Sequence, residues 1–290
     1  MKRMIWLCLL LLALFAPARA EDTLWVCVDG TLTEMDREAY LVGAVAAEMP
    51  ASYALEALKA QAVAARTRAV AGTCASHPGA DICTDSGCCQ GYLDEAAQEA
   101  RWGGETAYWR ARIVQAVEET RGVIMTWEGR PIEVLYHAVS GGQTEDVELV
   151  YSQALPYLRS VPSPGEETAS GYESVQTFSH GELVALFPEQ AVEGRVALEV
   201  LERSDSGRVL WLSVGGRAME GRTLRSVLGL KSTNFQIVDN GDTVTFLQRG
   251  YGHGVGMSQA GANAMAQAGA RWDEILLHYY TGVALTALGE

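Results

Sequence analysis

Apolar and small residues recur at helical spacing from Arg37 to Glu48, and Pro50 stops the run, which predicts a helix over 37–48. Ser52 stands where an N-cap belongs. It opens an Ala- and Leu-rich segment that runs to about residue 71 and ends at Gly72, predicting a second helix. Before these, residues 24–28 read as a short strand closed by Asp29-Gly30. A helix over about 106–120 leads into strands near 122–128 and 131–138, joined at Glu128-Gly129-Arg130. Residues 139–170 are loop-like, with Ser140-Gly141-Gly142 near one end and Pro162-Ser163-Pro164-Gly165 near the other. Ser179 and Glu182 form a capping box for a short helix that Pro188 ends. Alternation predicts one hairpin over 196–203 and 208–214, and another over 235–239 and 243–249 around Asn240-Gly241. A glycine-rich turn at 250–256 feeds a small-residue helix to about 268, and a last helix covers 272–280. Helices and hairpins in segregated runs predict an α+β protein: one mixed core domain with an inserted or appended β-rich subdomain at about 172–230.

The N-terminus departs from this pattern. Lys2 and Arg3 precede an apolar run from Met4 to Phe15, then Ala18-Arg19-Ala20 offers a small-x-small cleavage site. Residues 1–20 therefore read as a secretory signal, with an uncleaved anchor as the alternative, since the run is shorter than the about 20 residues of a full span. Either way the expected location is extracytoplasmic. Cleavage would remove three basic residues and no acid, moving the net charge from −14 to −17. So acidic a chain repels nucleic-acid phosphates, and no nucleic-acid partner is expected.

Glu48 is the sole charge in the run Val42-Gly43-Ala44-Val45-Ala46-Ala47-Glu48. A carboxyl in that setting is partly desolvated, which raises its pKa and suits it to donate a proton near neutrality. On the next helix Lys59 and Arg66 are seven residues apart and share a face. They would bind substrate beside Glu48 or orient its carboxyl; the competing reading is that one of them pairs with Glu48 in a structural salt bridge.

Two further motifs sit on glycine-rich turns. His137-Ala138-Val139-Ser140-Gly141-Gly142 follows a predicted strand, and such a turn converges backbone N–H groups and hydroxyls on one point. The bland alternative is a tight turn with a satisfied histidine. Gly250-Tyr251-Gly252-His253-Gly254-Val255-Gly256-Met257-Ser258-Gln259 spends four glycines around one histidine, an entropic cost that only a required backbone path justifies. His253, Ser258 and Gln259 are read as cleft residues. A Ser–His hydrolase built on Ser140 or Ser258 lacks the nucleophile-elbow context.

Cys74, Cys83, Cys88 and Cys89 crowd with His77 into sixteen residues. His77, Cys83, Cys88 and Cys89 supply four ligands for a tetrahedral zinc, with Cys74 able to replace one of the adjacent pair. Disulfides are the alternative in an exported protein, although the five cysteines beyond the signal, Cys27 included, cannot all pair. A zinc with four protein ligands is structural, so no cofactor is expected for the chemistry itself.

The string from Tyr40 through Glu48 to Pro50, continued by Leu55 to Thr67, resembles the signature of the stage II sporulation protein D family, the SpoIID/LytB proteins. The His137–Thr144 segment, Leu228–Phe235 and the turn at 250–262 resemble further family blocks, in family order along nearly the whole chain. The resemblance implies a peptidoglycan lytic transglycosylase with Glu48 as catalytic acid, with Lys59 and Arg66 associated with activity. It also implies a glycan-strand substrate denuded of stem peptides, a zinc bound by His and Cys, and a role in engulfment. The partners it implies are a cell-wall amidase and a membrane-bound sporulation complex. The rival function is a non-catalytic glycan-binding enhancer of that amidase. Arg68 departs from the family, which usually has an aromatic residue there; the expected effect is on packing more than chemistry.

Overall fold

The computed structural model of the chain describes residues 22–72 and 74–288. The expected signal over 1–20, with Cys8 in it, lies outside them. In chain order the elements are β1 (Thr23–Val28), β2 (Thr31–Asp36), α1 (Arg37–Glu48), α2 (Leu55–Ala71), β3 (Ile82–Cys83), α3 (Glu95–Trp102) and α4 (Thr106–Glu119). Then come β4 (Val123–Trp127), β5 (Arg130–Pro131), β6 (Tyr136–His137), β7 (Glu173–Ser179), α5 (His180–Leu186), β8 (Leu198–Arg203), β9 (Val209–Val214) and β10 (Arg217–Glu220). The chain closes with α6 (Gly221–Leu228), β11 (Phe235–Asp239), β12 (Thr243–Arg249), β13 (Met257–Ser258), α7 (Gln259–Gln267), α8 (Trp272–Tyr279) and β14 (Ala284–Ala287). The architecture is α+β, as expected.

Helix α2 is the axle of the first lobe. Its mostly alanine and aliphatic surface is buried on nearly every side, against α1, α4, α7, α8 and β4. Its alanines allow that close approach: Ala57, Ala60, Ala62, Ala64 and Ala65 are fully buried. Ser52 is not its N-cap. The helix starts at Leu55 with no side-chain cap, and the Ala54 N–H is taken instead by Asn263 Oδ1 at 2.8 Å, from α7. Around this core sit the sheets β2-β1-β3 and β14-β4-β5 and the parallel pair β13-β6.

A second hydrophobic core belongs to the β-rich lobe, where Leu183, Leu212, Leu224, Phe235 and Phe246 meet. Its sheets are β11-β12-β7 and β10-β9-β8. The lobe extends past the expected limit of 230, because β12 pairs with β7 from Thr243 to Arg249 and buries Phe246 in the same core. The two lobes are joined by Arg208 on the loop entering β9. Its guanidinium donates to Ser140 O at 2.6 Å and Gln143 O at 3.0 Å. Among the described residues no helix is long and apolar enough to cross a membrane.

Candidate functional site

Glu48 is the last residue of α1, where the helix gives way to extended backbone at Met49. Its half-buried carboxyl accepts the Gly91 N–H on Oε1 at 2.5 Å. Oε2 has no hydrogen bond among the described residues. Burial pushes the pKa of Glu48 up, and the Gly91 N–H and the Arg68 guanidinium only partly oppose it. Gly91 is tightly placed: a Cβ there would stand 3.1 Å from Ala47 Cβ and 3.2 Å from Glu48 Oε1, so one of them would have to give way. Beside the carboxyl, Gln90 bridges two tyrosines, donating to Tyr40 Oη at 3.0 Å and accepting from Tyr136 Oη at 3.1 Å. The result is a carboxyl of raised pKa with one oxygen fixed and the other available.

Neither cation expected beside Glu48 bonds to it. Lys59 Nζ is held by Glu56 and Glu119, each at 2.6 Å. Arg66 is fully buried, its fork on Glu38 at 2.8 and 2.6 Å with further bonds to Val117 O and Val123 O. The shared helical face is real, but it points at the α1–α4 packing rather than at the end of α1. The cation that acts on Glu48 is Arg68, the residue set aside as a packing departure. It donates to Cys89 O, Val134 O and Cys88 O, tying α2 to the cysteine loop that carries Gly91. Arg68 also lies within electrostatic reach of His253.

The two histidine turns meet at Val255. His137 Nδ1 donates to Val255 O at 3.1 Å, and His253 Nδ1 accepts the Val255 N–H at 3.0 Å. These bonds set the neutral tautomers: the proton is on Nδ1 in His137 and on Nε2 in His253. The rings lie 5.5 Å apart. Burial drives the His253 pKa down to about 4 and that of His137 well below the usual imidazole range, so both are uncharged at neutral pH. The glycines of this turn are required by close packing. At Gly254, with φ +87°, a Cβ would fall 2.5 Å from the Arg208 guanidinium.

Ser140, Ser258 and Gln259 do not line a cleft. All three are buried. Ser140 Oγ donates to Glu166 Oε2 at 2.7 Å, Ser163 Oγ to Oε1 at 2.7 Å, and Ser258 Oγ to Oε1 at very short range. Gly141 N–H and Gly142 N–H complete the shell at 2.9 and 3.2 Å. The hydroxyls thus serve a buried carboxylate, and neither serine hydrogen-bonds to a histidine, which leaves no Ser–His nucleophile. Gln259 Nε2 reaches Gln61 Oε1 at 3.3 Å and pins α7 to α2. Of these motif residues, His253 lines a cavity of about 400 Å³ between the lobes, with Tyr151, Trp211 and Arg225. Gly91 carried no local signal, because Glu48 lies 43 residues away in sequence, and Glu166 showed only Ser163 nearby, its other serine partners lying 26 and 92 residues away.

In the cysteine loop, Cys74, Cys83, Cys88 and Cys89 have all four sulfurs within 4.8 Å of one another. Cys74–Cys88 and Cys88–Cys89 are 3.7 and 3.8 Å apart, far beyond a disulfide and close to the about 3.8 Å edge of a tetrahedron of sulfurs 2.3 Å from one ion. All five described cysteines are free thiols. His77 stands outside the four-sulfur group, with Nδ1 3.3 Å from Cys74 Sγ. The donor set therefore fits a four-thiolate metal site, with Cys74 in the place first given to His77. A metal held there would order the Cys88-Cys89-Gln90-Gly91 segment and so set the N–H that meets Glu48.

These features define an α+β protein with a carboxyl acid fixed at a helix end and a cysteine cluster bracing the loop beside it. The chain belongs to the stage II sporulation protein D family. The family model for stage II sporulation protein matches residues 30–127, from β1's turn to the end of β4. Stage II sporulation protein D of Bacillus amyloliquefaciens is 38% identical over 253 residues, spanning 86% of this chain and 74% of its own. The protein of that name from Bacillus subtilis strain 168 is 36% identical over the same spans. An amidase enhancer of Bacillus subtilis is 29% identical over 301 residues, covering 85% of this chain and 40% of the enhancer.

Proposed function

We propose that this protein is an exported peptidoglycan lytic transglycosylase acting in sporulation, with Glu48 as its single acid and base. The observation that carries this is the Glu48 carboxyl: burial raises its pKa, Gly91 fixes Oε1, and Oε2 is unbonded among the described residues. Glu48 protonates the glycosidic oxygen as that bond breaks. The C6 hydroxyl of N-acetylmuramic acid then attacks its own anomeric carbon and returns a proton to Glu48, leaving a 1,6-anhydro end. No water is consumed and the acid is regenerated, so a second carboxylate is not needed. Arg68 tempers the pKa of Glu48. Lys59 and Arg66 support the helices rather than the reacting atoms, and the cysteine cluster supports the Gly91 loop through a structural zinc.

The similarity to an amidase enhancer favours a second role alongside the first: binding glycan and stimulating a cell-wall amidase. Mass spectrometry of products from denuded glycan strands separates the two. Anhydro-muramic ends from the unmodified protein and none from Glu48→Gln support cleavage. Amidase stimulation undiminished in Glu48→Gln, with no anhydro product from either protein, would leave the enhancer role alone.

A further inference from the structure

The cavity between the lobes holds a cation with no ion pair among the described residues. Arg225 on α6 uses only Nε, which donates to Leu230 O at 3.2 Å and fixes the base of the guanidinium. Its Nη1 and Nη2 have no hydrogen bond or ion pair among the described residues. Most other charges lining this space are committed. Arg208 is bonded to Ser140 O, Gln143 O and Ser206 Oγ; Arg222 is bonded to Glu220 and to Val150 O. Glu148 is paired with Arg159 at 2.6 Å, and Glu145 accepts from Ser204 and Ser206. Only Glu202, exposed at the rim, is an unpaired acid there.

Around Arg225 the walls are aromatic. Tyr151 and Trp211 remain 42% and 41% exposed although each lines the cavity, so both offer ring surface to an occupant. Tyr151 stands edge-on to His253 at 5.9 Å. At about 400 Å³ the space lies within the range of small-ligand sites. Aromatic faces suit the apolar faces of a pyranose ring, and a half-buried guanidinium with two free nitrogens suits a carboxylate taken bidentately.

We propose that Arg225 is the specificity determinant of this cavity, binding the free lactyl carboxylate of an N-acetylmuramic acid residue seated against Tyr151 and Trp211. The proposal rests on the glycan-cleaving reading above and explains which strands are accepted. A stem peptide converts that carboxylate into an amide, which removes the charge and places bulk against the guanidinium. N-acetylglucosamine has no lactyl group at all.

The test measures binding to Glu48→Gln protein by calorimetry, so that cleavage does not enter. The ligands are one alternating glucosamine–muramic acid oligosaccharide in three forms: free lactyl acid, lactyl methyl amide, and with stem peptides attached. The free acid is expected to bind about tenfold more tightly than the methyl amide, and the peptide-bearing form no better than the amide. Equal affinity for acid and amide overturns the proposal; so does full affinity for the peptide-bearing form, whose own carboxylates would then satisfy the site. Adding Arg225→Gln should abolish the acid–amide difference; a difference that persists overturns the proposal. If Arg225→Gln fails to fold, the ligand comparison with Arg225 intact still decides. A protein that makes no anhydro product yet prefers the free acid would refute the catalytic reading and leave Arg225 as a carboxylate reader.

Discussion

Gly91 donates its backbone N–H to Glu48 Oε1 at 2.5 Å, joining the end of α1 to the segment that follows Cys88 and Cys89. A bond between residues 43 apart couples the acid to the cysteine loop, so events in that loop reach the acid directly. Gly91→Ala is expected to disturb this more than its size implies, because the new Cβ meets both Ala47 and the carboxylate. Glycan cleavage should fall about tenfold or more with the melting temperature little changed. Unaltered turnover in Gly91→Ala would show that the bond is not needed.

Glu48→Gln should lower cleavage by a factor of about 10² to 10⁴. It should also stabilise the protein. Burial raises the folded pKa of Glu48 above its unfolded value, so its contribution to stability is greatest below the ordinary carboxylate range and declines as pH rises through the folded pKa. Glutamine is neutral throughout. The variant is expected to melt higher than the parent above that pKa, with the gap narrowing toward about pH 4. A variant that melts lower at every pH would contradict the burial argument.

Cleavage itself should decline as pH rises through the folded pKa of Glu48, because the acid must begin protonated. The histidines do not add a second limb near neutrality, since burial keeps His253 uncharged down to about 4. A pH–rate profile for kcat/KM that instead rises through neutrality would assign the acid elsewhere.

Elemental analysis should find one zinc per chain, reduced by Cys74→Ser or Cys83→Ser and unaffected by Cys27→Ser, since Cys27 lies outside the four-sulfur group. Chelation should lower both melting temperature and activity, because the loop it loosens carries Gly91. Zinc retained in Cys74→Ser but lost in His77→Ala would restore the first-read ligand set.

Arg66→Ala should cost about 3–5 kcal/mol of stability, the penalty for stranding the buried Glu38 carboxylate. If Arg66 acted in the cleft instead, activity would fall with stability intact. Glu166→Ala should cost about 3 kcal/mol or more by leaving the buried hydroxyls of Ser140, Ser163 and Ser258 without their acceptor.

Local periodicity and turn chemistry are enough to specify the helices whose apolar spacing is continuous, α1, α2, α7 and α8, and both hairpins of the β-rich lobe. The sequence also marked Glu48 as a carboxyl in apolar surroundings, the cysteine cluster, and the need for a glycine-rich path around His253. Each of these is a local property, set by periodicity, turn chemistry or composition within a few residues. It did not mark the partners. Lys59 and Arg66 share a face with Glu48 nearby in sequence, yet helix packing turns that face toward Glu38, Glu56 and Glu119. Ser140 and Ser258 look like site hydroxyls until the 163–166 loop brings Glu166 between them. That Gly91 and Arg68 act on the acid emerges only once the chain is folded, because hydrogen bonds and fields act across space and ignore distance along the chain.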